Sequence, residues 1–337
     1  IFSNFFANLP FGILQTTHPH IMQLILYYSM LIVVTYMLKN NKYKKAFVTF
    51  FTVILILAIT TLKPISKNLE IITFDVGSAD SFLVKTPQNK YFFIDTGKSA
   101  YKSASSQAKI IMLKYLKDRG IKNIEGIIVT HFDNDHSGGT KDFIENVKIK
   151  TLYLNSENQT TETTKQIFST AKEYNQDIEI AKNNSMIYKE PDLSIKTYKA
   201  RIAGHDKSNE NSTITLLSYK NFETLFMADA GVESFNQIKN YLPANIEVLK
   251  VGHHGGPNVV SSEMINSINN NVSIISTGIN YFGHPNKGTL DILRNTTILR
   301  TDNLNSIKIS TDGNNYKIYS YDTHDKKYKF KEKFVAK

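Results

Sequence analysis

At 337 residues the chain is long enough for one large domain or two smaller ones, with a sizeable core. It has no cysteine, which excludes a disulfide framework and a thiolate metal site. The formal charge of +10 suggests an anionic partner, but residues 1–63 hold five lysines and no acidic residue, leaving 35 basic against 30 acidic side chains elsewhere. Much of the basicity thus belongs to the amino-terminal end and argues little for nucleic acid by itself.

The chain opens on Ile1 rather than Met, as a fragment of a longer protein would. Phe2 to Leu14 is apolar, broken by Pro10 and Gly12, and reads as the tail of an earlier membrane segment or an interfacial piece. Ile21 to Leu38 is uncharged and suits a membrane helix; Ala46 to Leu62 is a shorter second candidate, a span needing about 20 residues. Residues 1–63 are therefore expected to form a membrane segment with two transmembrane helices. Between the spans, Lys39, Lys42, Lys44 and Lys45 should stay in the cytoplasm by the positive-inside rule. Two spans then place everything after Leu62 outside the cytoplasm.

After a linker marked by Pro64, strands are predicted over 69–76, 81–86 and 90–94, the last two as an antiparallel hairpin. The first ends in Asp75-Val76-Gly77 and the third in Asp95-Thr96-Gly97. Asp80 reads as a plain turn former. Apolar residues Ala108, Ile111, Met112, Tyr115 and Leu116 at helical spacing predict a helix over 103–119. A buried strand over 124–129 leads into Thr130-His131-Phe132-Asp133-Asn134-Asp135-His136-Ser137-Gly138-Gly139. Two imidazoles and two carboxylates within six residues of a strand end form a donor set suited to Zn or Mn. Gly138 and Gly139 are expected to let the backbone turn sharply into a helix near Thr140.

Further strands are predicted over 151–154, 193–203, 212–219 and 222–227, with a helix over 163–174 and a tight turn at Lys220-Asn221. The 222–227 strand ends at Asp229. Another strand, 246–251, runs into Gly252-His253-His254-Gly255-Gly256, where small neighbours leave the imidazoles free to reach a ligand. Strand 272–277 precedes Asn280-Tyr281-Phe282-Gly283-His284-Pro285. A short helix (289–295) and closing strands follow, and the lysine-rich tail, 324–337, is expected to fray.

The ligand loop resembles the His-x-His-x-Asp-His signature of the metallo-β-lactamase superfamily, with Asp133 in place of the second His. Its Thr-His-x-Asp-x-Asp-His-x-Gly-Gly form is similar to the carboxy-terminal domain of ComEC-type DNA-internalisation proteins. The motifs at Asp75, Asp95, Asp229, His253-His254 and His284 follow in that family's order. Ala79, Ala228, Gly256 and Phe282 depart from its pattern. The resemblance implies an α/β (α+β) fold, an αββα sandwich over 64–323, with strand-end loops at one edge. It implies two divalent metal ions, Mn or Zn. His131, Asp133 and one of the adjacent histidines, with His253 preferred, would hold one ion. Asp135, His136 and His284 would hold the other, with Asp229 bridging. Asp135 and His254 would be catalytic, Asp75 and Asp95 would orient the histidines, and His205 is a possible substitute ligand.

By the same resemblance the chain would be part of a DNA-uptake channel in the inner membrane, its periplasmic domain hydrolysing single-stranded DNA beside other competence proteins. A catalytically inactive DNA- or partner-binding domain, and a membrane-tethered phosphoesterase of small substrates, are the alternatives.

Overall fold

The computed structural model describes residues 21–61, 67–100, 105–204 and 208–336. Phe2 to Leu14 and His205 therefore lie outside the described residues. The described chain divides into two compact units, 21–61 with Tyr115–Lys122, and 67–114 with 123–336.

In the first unit, helices Ile21–Lys39 and Tyr43–Thr61 form a hairpin. Asn41 turns the chain with φ 56°. Met30 and Ala46 are buried, and Thr49 Oγ1 reaches Met37 Sδ at 3.8 Å. Many other apolar side chains, Ile25, Ile32, Tyr36, Phe47 and Leu55 among them, are exposed. Among the described residues, Ile21–Lys39 alone is long and apolar enough to cross a membrane.

The second unit is a sandwich of two sheets. Its strands are β1 (Leu69–Thr73), β2 (Phe82–Lys85), β3 (Tyr91–Ile94), β4 (Asn123–Val129), β5 (Lys148–Leu154), β6 (Ile178–Ile180), β7 (Ser185–Glu190) and β8 (Leu193–Tyr198). Then come β9 (Ile214–Tyr219), β10 (Phe222–Phe226), β11 (Val248–Lys250), β12 (Val272–Ile275), β13 (Thr297–Arg300), β14 (Ile307–Thr311), β15 (Asn315–Asp322) and β16 (Lys327–Val335). One sheet runs β16-β15-β14-β1-β2-β3-β4-β5-β6 and the other β13-β12-β11-β10-β9-β8-β7. Strands β3 to β6 are parallel, as are β10 to β13.

Strand alternation decides which side chains meet between the sheets. Ile71, Phe82, Phe92 and Ile128 of the first sheet share one buried cluster with Leu217, Phe222, Phe226 and Val272 of the second. Residues of opposite parity, such as Leu225 and Leu249, pack outward against Phe235, Ile238, Met264 and Leu293 of the helices. On the other outer face Phe143 packs against Phe93, their rings tilted by 60° with centroids 4.6 Å apart. The layers are therefore helix, sheet, sheet, helix.

Several elements depart from expectation. The helix foreseen over 103–119 is a π-helical turn at Ala108–Met112 followed by Leu113–Asp118. Strands β6 and β7, and helices Val232–Ile238 and Ser262–Ile268, had no clear periodic signal. The tail does not fray: β16 pairs with β15, and Phe334 stacks on Tyr316 at 5.0 Å. Its alternating Tyr, Phe and Lys read as a solvated run, yet that alternation gives an edge strand one apolar face.

Candidate metal centre

The candidate ligands meet because parallel strands send their following loops to one sandwich edge. Strands β3 and β4 deliver Asp95 and the ligand loop; β10, β11 and β12 deliver Asp229, His253-His254 and His284. After β4, the loop coils into one helical turn, Asn134–Ser137, which buries His136 completely. Gly138 and Gly139 do not turn the chain through positive φ; both are helical, at −60° and −88°. They are glycine because the 96–99 backbone crosses there. A Cβ on Gly139 would stand 2.3 Å from Thr96 O, and one on Gly138 2.2 Å from Ser99 N.

Asp229 lies at the centre. Its Oδ1 is 3.2 Å from His136 Nε2 and 4.0 Å from His254 Nε2, and its Oδ2 is 3.8 Å from both His131 Nε2 and His253 Nε2. His254 Nε2 is 3.4 Å from Asp135 Oδ2, and His131 Nε2 is 3.5 Å from Asp133 Oδ2. Two overlapping triads result, His131–His136–Asp229 and Asp135–His136–His254, with the donor atoms of each within 4.8 Å of one another. His131 Nε2, His136 Nε2, His254 Nε2 and Asp229 Oδ1 are all buried without a hydrogen-bond partner. Four such atoms pointing at each other would be costly in a dry core. A divalent cation would supply the missing partner, and the nitrogen and oxygen donor set fits one.

The far side of each ring explains its direction. His136 Nδ1 donates to Asp95 Oδ2 at 2.7 Å, and His254 Nδ1 donates to Ser276 O at 2.8 Å. When either ring is neutral, as a ligand must be, Nε2 is the lone-pair nitrogen facing inward. Asp95 is itself fixed by Thr130 N and Thr130 Oγ1 at 2.8 and 2.7 Å. Beneath both rings sits Asp80, 3.7 Å from His136 Nδ1 and 3.6 Å from His254 Nδ1. The wholly buried Lys250 donates to Asp80 Oδ2 and, at 2.7 Å, to Ala228 O.

Charge and burial compete across the cluster. Burial works against the His136 cation, but Asp229 and Asp95 outweigh it and hold its pKa well above the usual histidine value. Burial likewise opposes ionised Asp229, but His136, His254 and His131 keep its pKa far below the carboxylate range. Asp135 is lowered to about 2, burial being overcome by the neighbouring imidazoles of His254 and His136. Burial lowers both His253 and His284. Asp95, Ala228, His253 and His254 all adopt φ between 43° and 58°. Left-handed backbone costs an L-residue roughly 1–2 kcal/mol, and such strain gathers at functional sites.

His131, Asp133, Asp135, His136, Asp229, His253 and His254 are thus brought together. His284 is not grouped with Asp135 and His136 as foreseen; His254 occupies that place. The adjacent left-handed residues turn the His254 ring inward, while the side chain of His253 stays 38% exposed. His284 packs against the cluster through His253, their rings edge to face at 5.1 Å. Among the described residues Asp75 makes no hydrogen bond or ion pair with a histidine; its carboxylate accepts from Gly77 N at 3.4 Å. Asp80, read as a turn former, is instead the buried acid behind two of the rings. Ala79 carries no strain, since the positive φ of that turn falls on Gly77 at 67°. Lys250 was read only as part of a strand, and its pairing across 170 residues has no local signal.

Residues 74–207 match the metallo-beta-lactamase superfamily. The chain is 26% identical to the ComE operon protein 3 of Bacillus subtilis over 278 residues, 77% of this chain and 36% of that protein. It is also 26% identical to Recombination protein 2 of Haemophilus influenzae over 243 residues, 72% of this chain and 28% of that one. The chain spans about a third of their length. Among solved structures, the metallo-beta-lactamase fold protein YhfI from Bacillus subtilis superposes with TM-score 0.49 at 10% identity, covering 72% of this chain and all of that one. The ligand loop and the layered sandwich agree with that match: residues 74–207 are similar to the metallo-beta-lactamase superfamily, in a chain similar to ComE operon protein 3 and Recombination protein 2.

Proposed function

We propose that the chain is the carboxy-terminal part of a multi-pass inner-membrane DNA-uptake protein whose periplasmic domain is a metal-dependent phosphodiesterase acting on single-stranded DNA. The observation that carries this reading is the convergence of four buried, unpartnered donor atoms on His131, His136, His254 and Asp229. Asp135, His136, His254 and Asp229 would hold one ion. His131, Asp133 and Asp229, with His253 beside them, would hold a second. The carboxylate at Asp133 adds a hard oxygen and favours Mn over Zn.

Divalent ions bound there would stabilise charge on the phosphodiester oxygens and make water nucleophilic near neutral pH. The protein's own groups do the positioning. Asp95 and the Ser276 carbonyl fix the His136 and His254 rings, and the ionised Asp135 would orient the attacking water. Exposed apolar side chains around both helices of the amino-terminal hairpin support two membrane spans. Lys39, Lys42, Lys44 and Lys45, around the turn of that hairpin, support a cytoplasmic turn and an outward-facing domain. Other competence proteins would be its partners.

The test is hydrolysis by the full chain of a single-stranded oligonucleotide, a duplex, bis-p-nitrophenyl phosphate and phosphorylcholine esters, with and without Mn. Mn-dependent cleavage of the single strand, lost in Asp135→Ala, is expected. Turnover of the choline esters alone would assign the site to small substrates.

A further inference from the structure

Ile279, Tyr281 and Phe282 are 101%, 103% and 81% exposed, on the loop between β12 and helix Lys287–Leu293. Large apolar side chains are rarely grouped so openly without a partner. The loop is nevertheless firmly latched. Asn280 Nδ2 donates to Gly278 O and His284 O at 2.8 and 2.6 Å, and its Oδ1 accepts from Phe282 N and His284 N at 3.1 and 3.0 Å. One buried-facing amide thus holds the backbone while the rings point to solvent.

Their position is specific. The Phe282 ring lies 6.0 Å from that of His284, which in turn lies 5.1 Å from His253 at the rim of the metal centre. A phosphodiester seated at the centre would carry its neighbouring base toward these rings. In a duplex that base is paired and stacked; in a single strand its face is open, and aromatic side chains bind it without regard to sequence. Lipid is the competing occupant, but sinking these rings into a bilayer would press the mouth of the site against headgroups.

We propose that Tyr281 and Phe282 form a base-stacking platform that selects unpaired nucleotides at this site, an inference that rests on the DNA reading above. Stacking on aromatic residues strengthens binding by roughly ten-fold or more per base. The experiment uses the full chain, without divalent metal, and fluorescent strands of equal length, one of thymidines and one wholly abasic.

The wild type should bind the thymidine strand at least ten-fold more tightly than the abasic one, and Tyr281→Ala/Phe282→Ala should bind both alike. Equal binding by the wild type, or undiminished preference in the variant, would overturn the proposal. The chain has no tryptophan, so Phe282→Trp is a unique reporter. Its fluorescence should be quenched by the thymidine strand; quenching by brominated lipid instead would assign the loop to the membrane and overturn the proposal. Cleavage is not needed for any of these readings. Absence of metal-dependent hydrolysis with base preference intact would sink the nuclease reading and leave the platform standing.

Discussion

His136 and Asp95 are joined by a 2.7 Å hydrogen bond in a wholly buried pocket, and that bond decides which imidazole nitrogen faces Asp229. With an Asn at 95, the side-chain amide would face Nδ1 as a donor, the proton would move to Nε2, and the inward lone pair would be lost. Asp95→Asn should therefore weaken Mn or Zn binding by about 10–100-fold. Calorimetric titration checks this, with circular dichroism expected to show an intact fold.

The Asp80–Lys250 pair makes a second, structural prediction. Removing the lysine strands a buried carboxylate, which costs roughly 3–5 kcal/mol. Lys250→Met should lower unfolding stability by about that much, and adding Asp80→Asn should recover part of the loss. Denaturant titration of the two single variants and the double variant measures the coupling.

Metal binding should release protons. His136 and His254 both have pKa values raised by their carboxylate neighbours against the effect of burial. Raised groups hold protons in the metal-free protein, whereas a ligand nitrogen must be neutral. Affinity should therefore rise with pH from the ordinary histidine range upward. Calorimetry in buffers of different ionisation heat should detect the released protons.

Glu223, on the helix-facing side of β10, has a pKa pushed up to about 7, chiefly by burial and then by Glu247, against an ordinary 4.5. The folded state keeps a proton there that the unfolded chain gives up near the lower value. The stabilisation is full below about pH 4.5 and is lost as pH rises through about 7. Its size is roughly 1–3 kcal/mol after allowance for remaining solvent contact. Glu223→Gln should flatten the fall in unfolding stability between these limits.

What was legible in the sequence was whatever lay beside a strand end. The ligand loop after β4, Asp229 after β10 and the paired histidines after β11 each announce themselves within ten residues. The choice between His253 and His254 was not legible, because it depends on two consecutive left-handed residues. Asp80 and Lys250 were missed for another reason: neither has a local partner, and only the facing of the two sheets brings them together. The tail strand was missed because its charges alternate with aromatic residues, a pattern that pairing makes sense of and isolated reading does not.

Divalent metal held by these side chains is measured by the metal content of the purified full chain after loading with Mn or Zn and removal of excess. Two ions per chain are expected, with a marked loss in folded Asp229→Ala. A folded wild-type chain that retains neither metal would rule out a metal centre at Asp229.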